Sequence, residues 1–179
     1  MFAFVSGNLA LDFAGTVKAR ATTFDDYLHT PADLDVWLVA ADLLDGEPHC
    51  DTAIFDRAVR LREAAYRLAL AAAHDEPFAE IDRDVVNELA VGELPGLTLR
   101  SDATLIRTGT PEAAITAIAR AAVELLGGPD RQRIKECGRT LCTRLYVDTS
   151  RGKSRRWCDM AQCGNRAKSA AFRARHAAD

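Results

Sequence analysis

No run of apolar residues in this chain reaches the ~18 to 20 positions that a membrane span needs. The opening MFAFVSGNLALDF has no basic stretch ahead of its apolar residues, so it does not read as a secretory signal. The protein is therefore expected to be soluble and cytoplasmic, with no membrane partner. GxGxxG, P-loop, HExxH and GxSxG patterns are all missing, which leaves an enzyme reading without a supporting motif. Internal repeats and low-complexity segments are missing as well, which argues against a solenoid.

Positive charge is scarce over most of the chain and then abundant. Residues 1–130 hold 10 Lys and Arg against 22 Asp and Glu, whereas residues 131–179 hold 13 against 4. The formal net charge of -3 thus conceals a partition into -12 and +9. A basic segment of this kind either meets a polyanion or neutralises its acidic neighbour. With 48% apolar and 27% charged residues over 179 positions, the chain can bury a core of its own.

Helical periodicity dominates the acidic part. Thr30, Pro31 and Asp33 supply an N-cap, a proline at the first helical position and an acid in the first turn, and Leu34, Trp37, Leu38, Ala41 and Leu44 follow on one face. Gly46 is the expected stop. A second, alanine-rich helix is expected from an Asp51 cap to about His74, with Phe55, Ala58, Leu61, Ala65, Leu68 and Ala72 facing inward. Ile81, Val85 and Leu89 mark a shorter one, and LTLRSDATLIRTG reads as a hairpin about a polar turn. Thr110-Pro111-Glu112 starts the next helix, carried by Ile115, Ile118, Ala122 and Leu125 to Gly127-Gly128-Pro129. That cluster coincides with the charge reversal. The expected fold is mainly α with a small β-hairpin (α+β): a helical domain over residues 1–129 and a small C-terminal module over residues 130–179.

Cys137, Cys142, Cys158 and Cys163 form C-x4-C, 15 intervening residues, then C-x4-C. Two close pairs separated by a hairpin-sized insert suit a tetrahedral four-thiolate zinc site. LYVDTS and RRWC are expected to form that hairpin. The segment has few aliphatic residues, so a metal would supply stabilisation that its small core does not. Iron or an iron-sulfur cluster uses the same donors, whereas disulfides fit a cytosolic protein poorly. With four sulfur ligands no position remains for water, so the metal reads as structural. Cys50 beside His49, and His29, His74 and His176, have no partner spacing that suggests a site.

On a helix over residues 165–176, Ala167, Ala170, Ala171 and Ala174 share one face, and Asn165, Ser169, Phe172 and His176 lie opposite. Arg166 and Arg173 flank the outer face on one side, Lys168 and Arg175 on the other. Such a helix suits a DNA major groove, with Asn165 and Ser169 toward base edges and the cations toward phosphates. Arg151, Lys153, Arg155 and Arg156 would extend the phosphate-binding surface. The competing arrangement packs Phe172 against the first domain and leaves the arginines solvated or paired with its acids. Trp157 reads as a cover for the metal site. Gly164 reads as a residue that lets the backbone turn toward the metal.

From Cys137 to His176, the ordered cysteine pairs, Asp148 with Ser150, the WC element and Cys163-Gly164-Asn165-Arg166 closely resemble the CGNR zinc finger. The stretch GNLALDFAGTV and the helical region after it resemble the ABATE domain that commonly precedes that finger. The resemblance implies a bacterial stress-induced transcription regulator whose finger binds DNA, with all four cysteines as ligands. That opening commonly has Asn where this chain has Gly15. Asp12 and Thr16 lie in the same opening and are expected to satisfy local backbone groups rather than line a pocket. The expected function is therefore a DNA-binding regulator with a helical domain that senses a small-molecule effector or a protein partner. A protein-interaction adaptor, or an enzyme with a pocket between helices, are the alternatives.

Overall fold

The computed structural model describes residues 2–46 and 48–176, less the side chains of 171, 172 and 174–176. Helix α1, Leu9–Ala14, is short but central: Asn8 caps it by accepting from the Ala10 and Leu11 amides, and Ala10 through Ala14 are buried. A ribbon of β1, Val17–Lys18, and β2, Asp25–Asp26, follows, with Lys18 opposite Asp25.

Helix α2, Pro31–Ala40, opens on a capping box in which the Thr30 hydroxyl accepts from the Asp33 amide and the Asp33 carboxylate accepts from Thr30. It stops at Ala40, six residues before the Gly46 expected to end it. The Asp42 amide donates to Val39 and the Leu43 amide to Leu38, with Asp42 at φ 56°. That pattern is a Schellman turn built on aspartate rather than glycine. Helix α3, Thr52–Ala73, capped by Asp51 as expected, ends the same way, with Asp75 at φ 56° and the Glu76 amide on the Ala71 carbonyl.

Helix α4, Glu80–Ala90, turns Val86 and Leu89 inward. Ile81, expected on that buried face, is 73% exposed, because Asp82 is turned inward and pairs with Arg67 at 2.6 Å. Strands β3, Gly96–Leu99, and β4, Leu105–Thr108, make the expected hairpin, with Leu97 opposite Arg107 and Leu99 opposite Leu105. Helix α5, Pro111–Gly127, starts on the Thr110 hydroxyl. Its small residues Ala114, Ala119 and Ala122, with Ala58, Ala65 and Ala69 of α3, let α1, α3 and α5 approach closely around Phe13, Leu61 and Ile118. Trp37 closes one end of this core, its ring 4.7 Å from that of Phe13.

A 3-10 turn, Pro129–Arg133, leads into β5, Ile134–Glu136, which pairs antiparallel with β6, Leu145–Val147. The hairpin of the cysteine segment is therefore this one, and not LYVDTS with RRWC. The apolar residues that can pay for strand pairing by burial are Ile134, Leu145 and Val147, and all three belong to the helical core. A π-helical turn, Met160–Gly164, then feeds helix α6, Asn165–His176. Among the described residues no helix is long and apolar enough to cross a membrane.

Candidate metal centre and the surface of the finger

Two tight turns bring the four cysteines together. Cys137 directly follows β5, with its amide on the Arg144 carbonyl, and the Cys142 amide closes a turn on the Arg139 carbonyl at 2.8 Å. Cys158 and Cys163 bracket the π turn, which Asp159 caps by accepting from the Ala161 amide. The Gly138 amide donates to the Arg156 carbonyl at 2.9 Å and so ties the first turn to the second. Tyr146, fully buried, lies beneath the cluster and donates its hydroxyl to the Arg155 carbonyl at 2.7 Å. Trp157 packs against it as expected.

The four sulfurs all lie within 4.8 Å of one another, with Cys142 to Cys158 at 3.8 Å and Cys158 to Cys163 at 3.6 Å. A tetrahedron with arms of ~2.3 Å has edges of about 3.8 Å, so the donor set fits a thiolate-bound metal ion in size and in chemistry. Electrostatics leads to the same result. Hydrogen bonds from Cys142 and Cys158 hold the Cys137 thiol below its ordinary value, whereas Cys142, bonded to that same Cys137 sulfur, is pushed up. Four thiolates this close repel one another, and a bound cation is what allows all of them to ionise.

Gly164 acts differently from expectation. Its backbone is helical, and what it supplies is space: a Cβ there would lie 3.0 Å from the Met160 sulfur and 3.3 Å from the Trp157 ring. Asp148, buried, accepts from the Lys135 ammonium at 2.7 Å and from the amide and hydroxyl of Ser150. Burial would raise its carboxyl, but Lys135 and Ser150 outweigh burial and hold it well below the carboxylate range.

The basic residues of the finger divide into two groups. Arg155 is a correction to the expected phosphate-binding set. Its Nε donates to the Trp157 carbonyl and its terminal nitrogen to Val5, each at 2.9 Å, and to Cys158, while the guanidinium stacks on Tyr146. Those bonds tie the guanidinium of the half-buried Arg155 to the fold. Arg144, which the sequence reading did not single out, is buried with its guanidinium on the carbonyls of Ala3 and Gly15 and 3.6 Å from the Asp12 carboxylate. Lys135 and Arg133 pair with Asp148 and Asp130. By contrast Arg151, Lys153, Arg156, Arg166, Lys168, Ser169 and Arg173 are exposed. Asn165 is exposed too, with its side-chain amide on the Ala161 carbonyl at 3.0 Å. The side chains of Arg175, Phe172 and His176 lie outside the described residues.

In the opening segment, Asp12 accepts from the Val5 and Ser6 amides at 2.9 Å, the expected local role, and burial raises its carboxyl although Ser6 and Arg144 oppose the shift. Thr16 donates to the Phe13 carbonyl. Cys50 is remote from the cluster, and burial, then Asp35, pushes its thiol up, which makes it a poor nucleophile.

A helical body joined through a shared core to a four-cysteine metal-binding module with a basic terminal helix defines a metal-finger protein. The chain belongs to the ABATE family: residues 7–129 match its sequence profile, described as "Putative stress-induced transcription regulator". Residues 133–176 match the CGNR zinc finger. No curated protein matches the chain in sequence.

Proposed function

We propose that the protein is a DNA-binding transcription regulator in which a structural zinc ion, held by Cys137, Cys142, Cys158 and Cys163, orders the basic finger. The observation that carries this reading is the division of the finger's cations: Lys135, Arg144 and Arg155 are held by carboxylate or carbonyl partners within the fold, whereas Arg151, Lys153, Arg156, Arg166, Lys168 and Arg173 stand exposed. On α6 the exposed Asn165 and Ser169 lie between cations, which suits base-edge contacts flanked by phosphate contacts. Four closely set cysteines of this spacing suit zinc, and with sulfur in every position the ion would have no open site for catalytic water. The reading is therefore non-enzymatic. A sensory role falls on the cleft of about 340 Å3 between the β1–β2 ribbon and the finger, bounded by Lys18, Thr22 and Tyr27 on one side and by Leu141, Gln162 and the ligand cysteines Cys142, Cys158 and Cys163 on the other. An effector there touches both parts of the chain, and so can bias finger geometry if it prefers one state.

The test is selection of duplex DNA from a random pool by purified, zinc-loaded protein. The expected outcome is an enriched sequence motif whose binding weakens steeply with salt. Recovery of no DNA above background by metal-loaded protein overturns the reading.

A further inference from the structure

Arg139 and Arg166 converge on one feature that the spacing of the cysteines does not announce. Between the first metal-binding turn and α6 runs a groove of about 380 Å3, lined by Arg139, Thr140 and Leu141 from the turn and by Trp157, Arg166 and Ala167. The Arg156 guanidinium lies 5.5 Å from the Trp157 ring, and the Arg156 carbonyl binds the Gly138 amide, so this arginine stands at the same turn. Among the described residues no carboxylate pairs with Arg139, Arg156 or Arg166. Ala167 and Ala170 of α6, which border the groove, add little bulk to obstruct it.

We infer that this groove seats the sugar-phosphate backbone of duplex DNA, with Arg139 as a phosphate contact on the turn facing Arg166 on the helix. The inference rests on the DNA-binding reading and assigns it a place. Charge complementarity selects the occupant: two unpaired guanidiniums, Arg139 and Arg166, line a trough within a segment of formal charge +9, and a polyanion is the partner that neutralises them together. The trough lies on the inner, alanine side of α6.

The protein contains two tryptophans, and they make the test direct. Trp37 is 1% exposed, whereas Trp157 lines the groove. Acrylamide quenching of full-length, zinc-loaded protein therefore reports on Trp157, and a Trp37→Phe variant removes the remaining background. A mixed-sequence duplex should protect Trp157 from the quencher. In salt titrations read by anisotropy, Arg139→Gln should lower the slope of log affinity against log salt by ~0.9. Arg139→Lys should retain it, as should Arg60→Ala, an exposed charge removed from α3. Equal melting temperature and metal content of the Arg139 variants exclude loss of folding as the cause. Salt-dependent binding with Trp157 unprotected and the Arg139→Gln slope unchanged would overturn the groove while leaving a DNA-binding regulator in place. Undetectable binding by wild type would remove both.

Discussion

At the scale of single residues, the contact with the largest consequence joins positions 129 apart in sequence: the Arg144 guanidinium donates to the Gly15 carbonyl at 2.9 Å. A Cβ at Gly15 would lie 2.5 Å from an Arg144 nitrogen, so glycine is present for space, its φ of -74° being open to any residue. Gly15→Asn, which restores the residue commonly found in ABATE openings, should therefore cost ~1 to 3 kcal/mol by overpacking. In an Arg144→Ala background the same change should cost less, and a double-mutant cycle of urea midpoints measures the difference. Additive losses would show that the two side chains do not compete for that space. A second residue-scale test concerns Asp26, whose carboxylate receives two 2.7 Å bonds from Arg62. Burial would raise this carboxyl, but Arg62 outweighs it and holds the value low. Stability from a depressed carboxyl is complete above the ordinary value of about 4 and is lost as pH falls through the folded one. Asp26→Asn should thus destabilise by roughly 2 to 4 kcal/mol at neutral pH. The gap to wild type should close as pH drops below about 4, and urea midpoints measured across that range check the sign.

At the scale of elements, two helices end on aspartate, the first of them four residues before the glycine that the sequence offered as its stop. Asp42 and Asp75 both sit near φ 56°, a conformation that costs an L-residue about 1 kcal/mol or more, though Asp tolerates it better than most. Asp42→Gly should therefore raise stability by ~0.5 to 1 kcal/mol, read as an upward shift in melting temperature, and a neutral or lower value would show that the Asp42 side chain contributes elsewhere. The same pair explains how far the sequence could be read. Helix starts at Thr30, Asp51 and Thr110 were legible, because side-chain capping is a local interaction between residues three apart. The stop of α2 was not, because an aspartate in a left-handed turn has the same letter as one in a helix. Cysteine spacing made the metal cluster legible. The β5–β6 hairpin was obscured for a tertiary reason: Ile134, Leu145 and Val147 are strands because the helical core buries them, and no local signal marks that partner. Arg155 and Arg151 look alike in sequence, and only the fold distinguishes the one held by carbonyls from the one left in solvent.

At the scale of the whole molecule, the junction at Gly127-Gly128-Pro129 marks a change of charge without dividing the apolar core. Ile134, Leu145 and Val147 are buried with α1, α3 and α5, whereas Cys137, Tyr146, Cys158 and Cys163 form a separate small cluster beyond them. Two sources of stability follow, and they can be removed one at a time. Apolar burial at ~25 cal/mol per Å2 holds the helical body and the inner side of the β5–β6 hairpin whether or not a metal is present. The outer cluster has four thiols, one tyrosine and Trp157, too little apolar surface to order two turns and a helix without the ion. Stripping the metal with a chelator should therefore raise backbone hydrogen exchange over residues 137–142 and 158–176 while α1, α3 and α5 retain their protection. Strands β5 and β6 should stand between these limits, since Arg144 and the three apolar side chains anchor them to the body. Cys158→Ser should reproduce the pattern without chelator and reduce bound metal below one ion per chain. If exchange instead rises throughout α3 on metal removal, the body depends on the ion, and the separation into a core held by burial and a finger held by its metal fails.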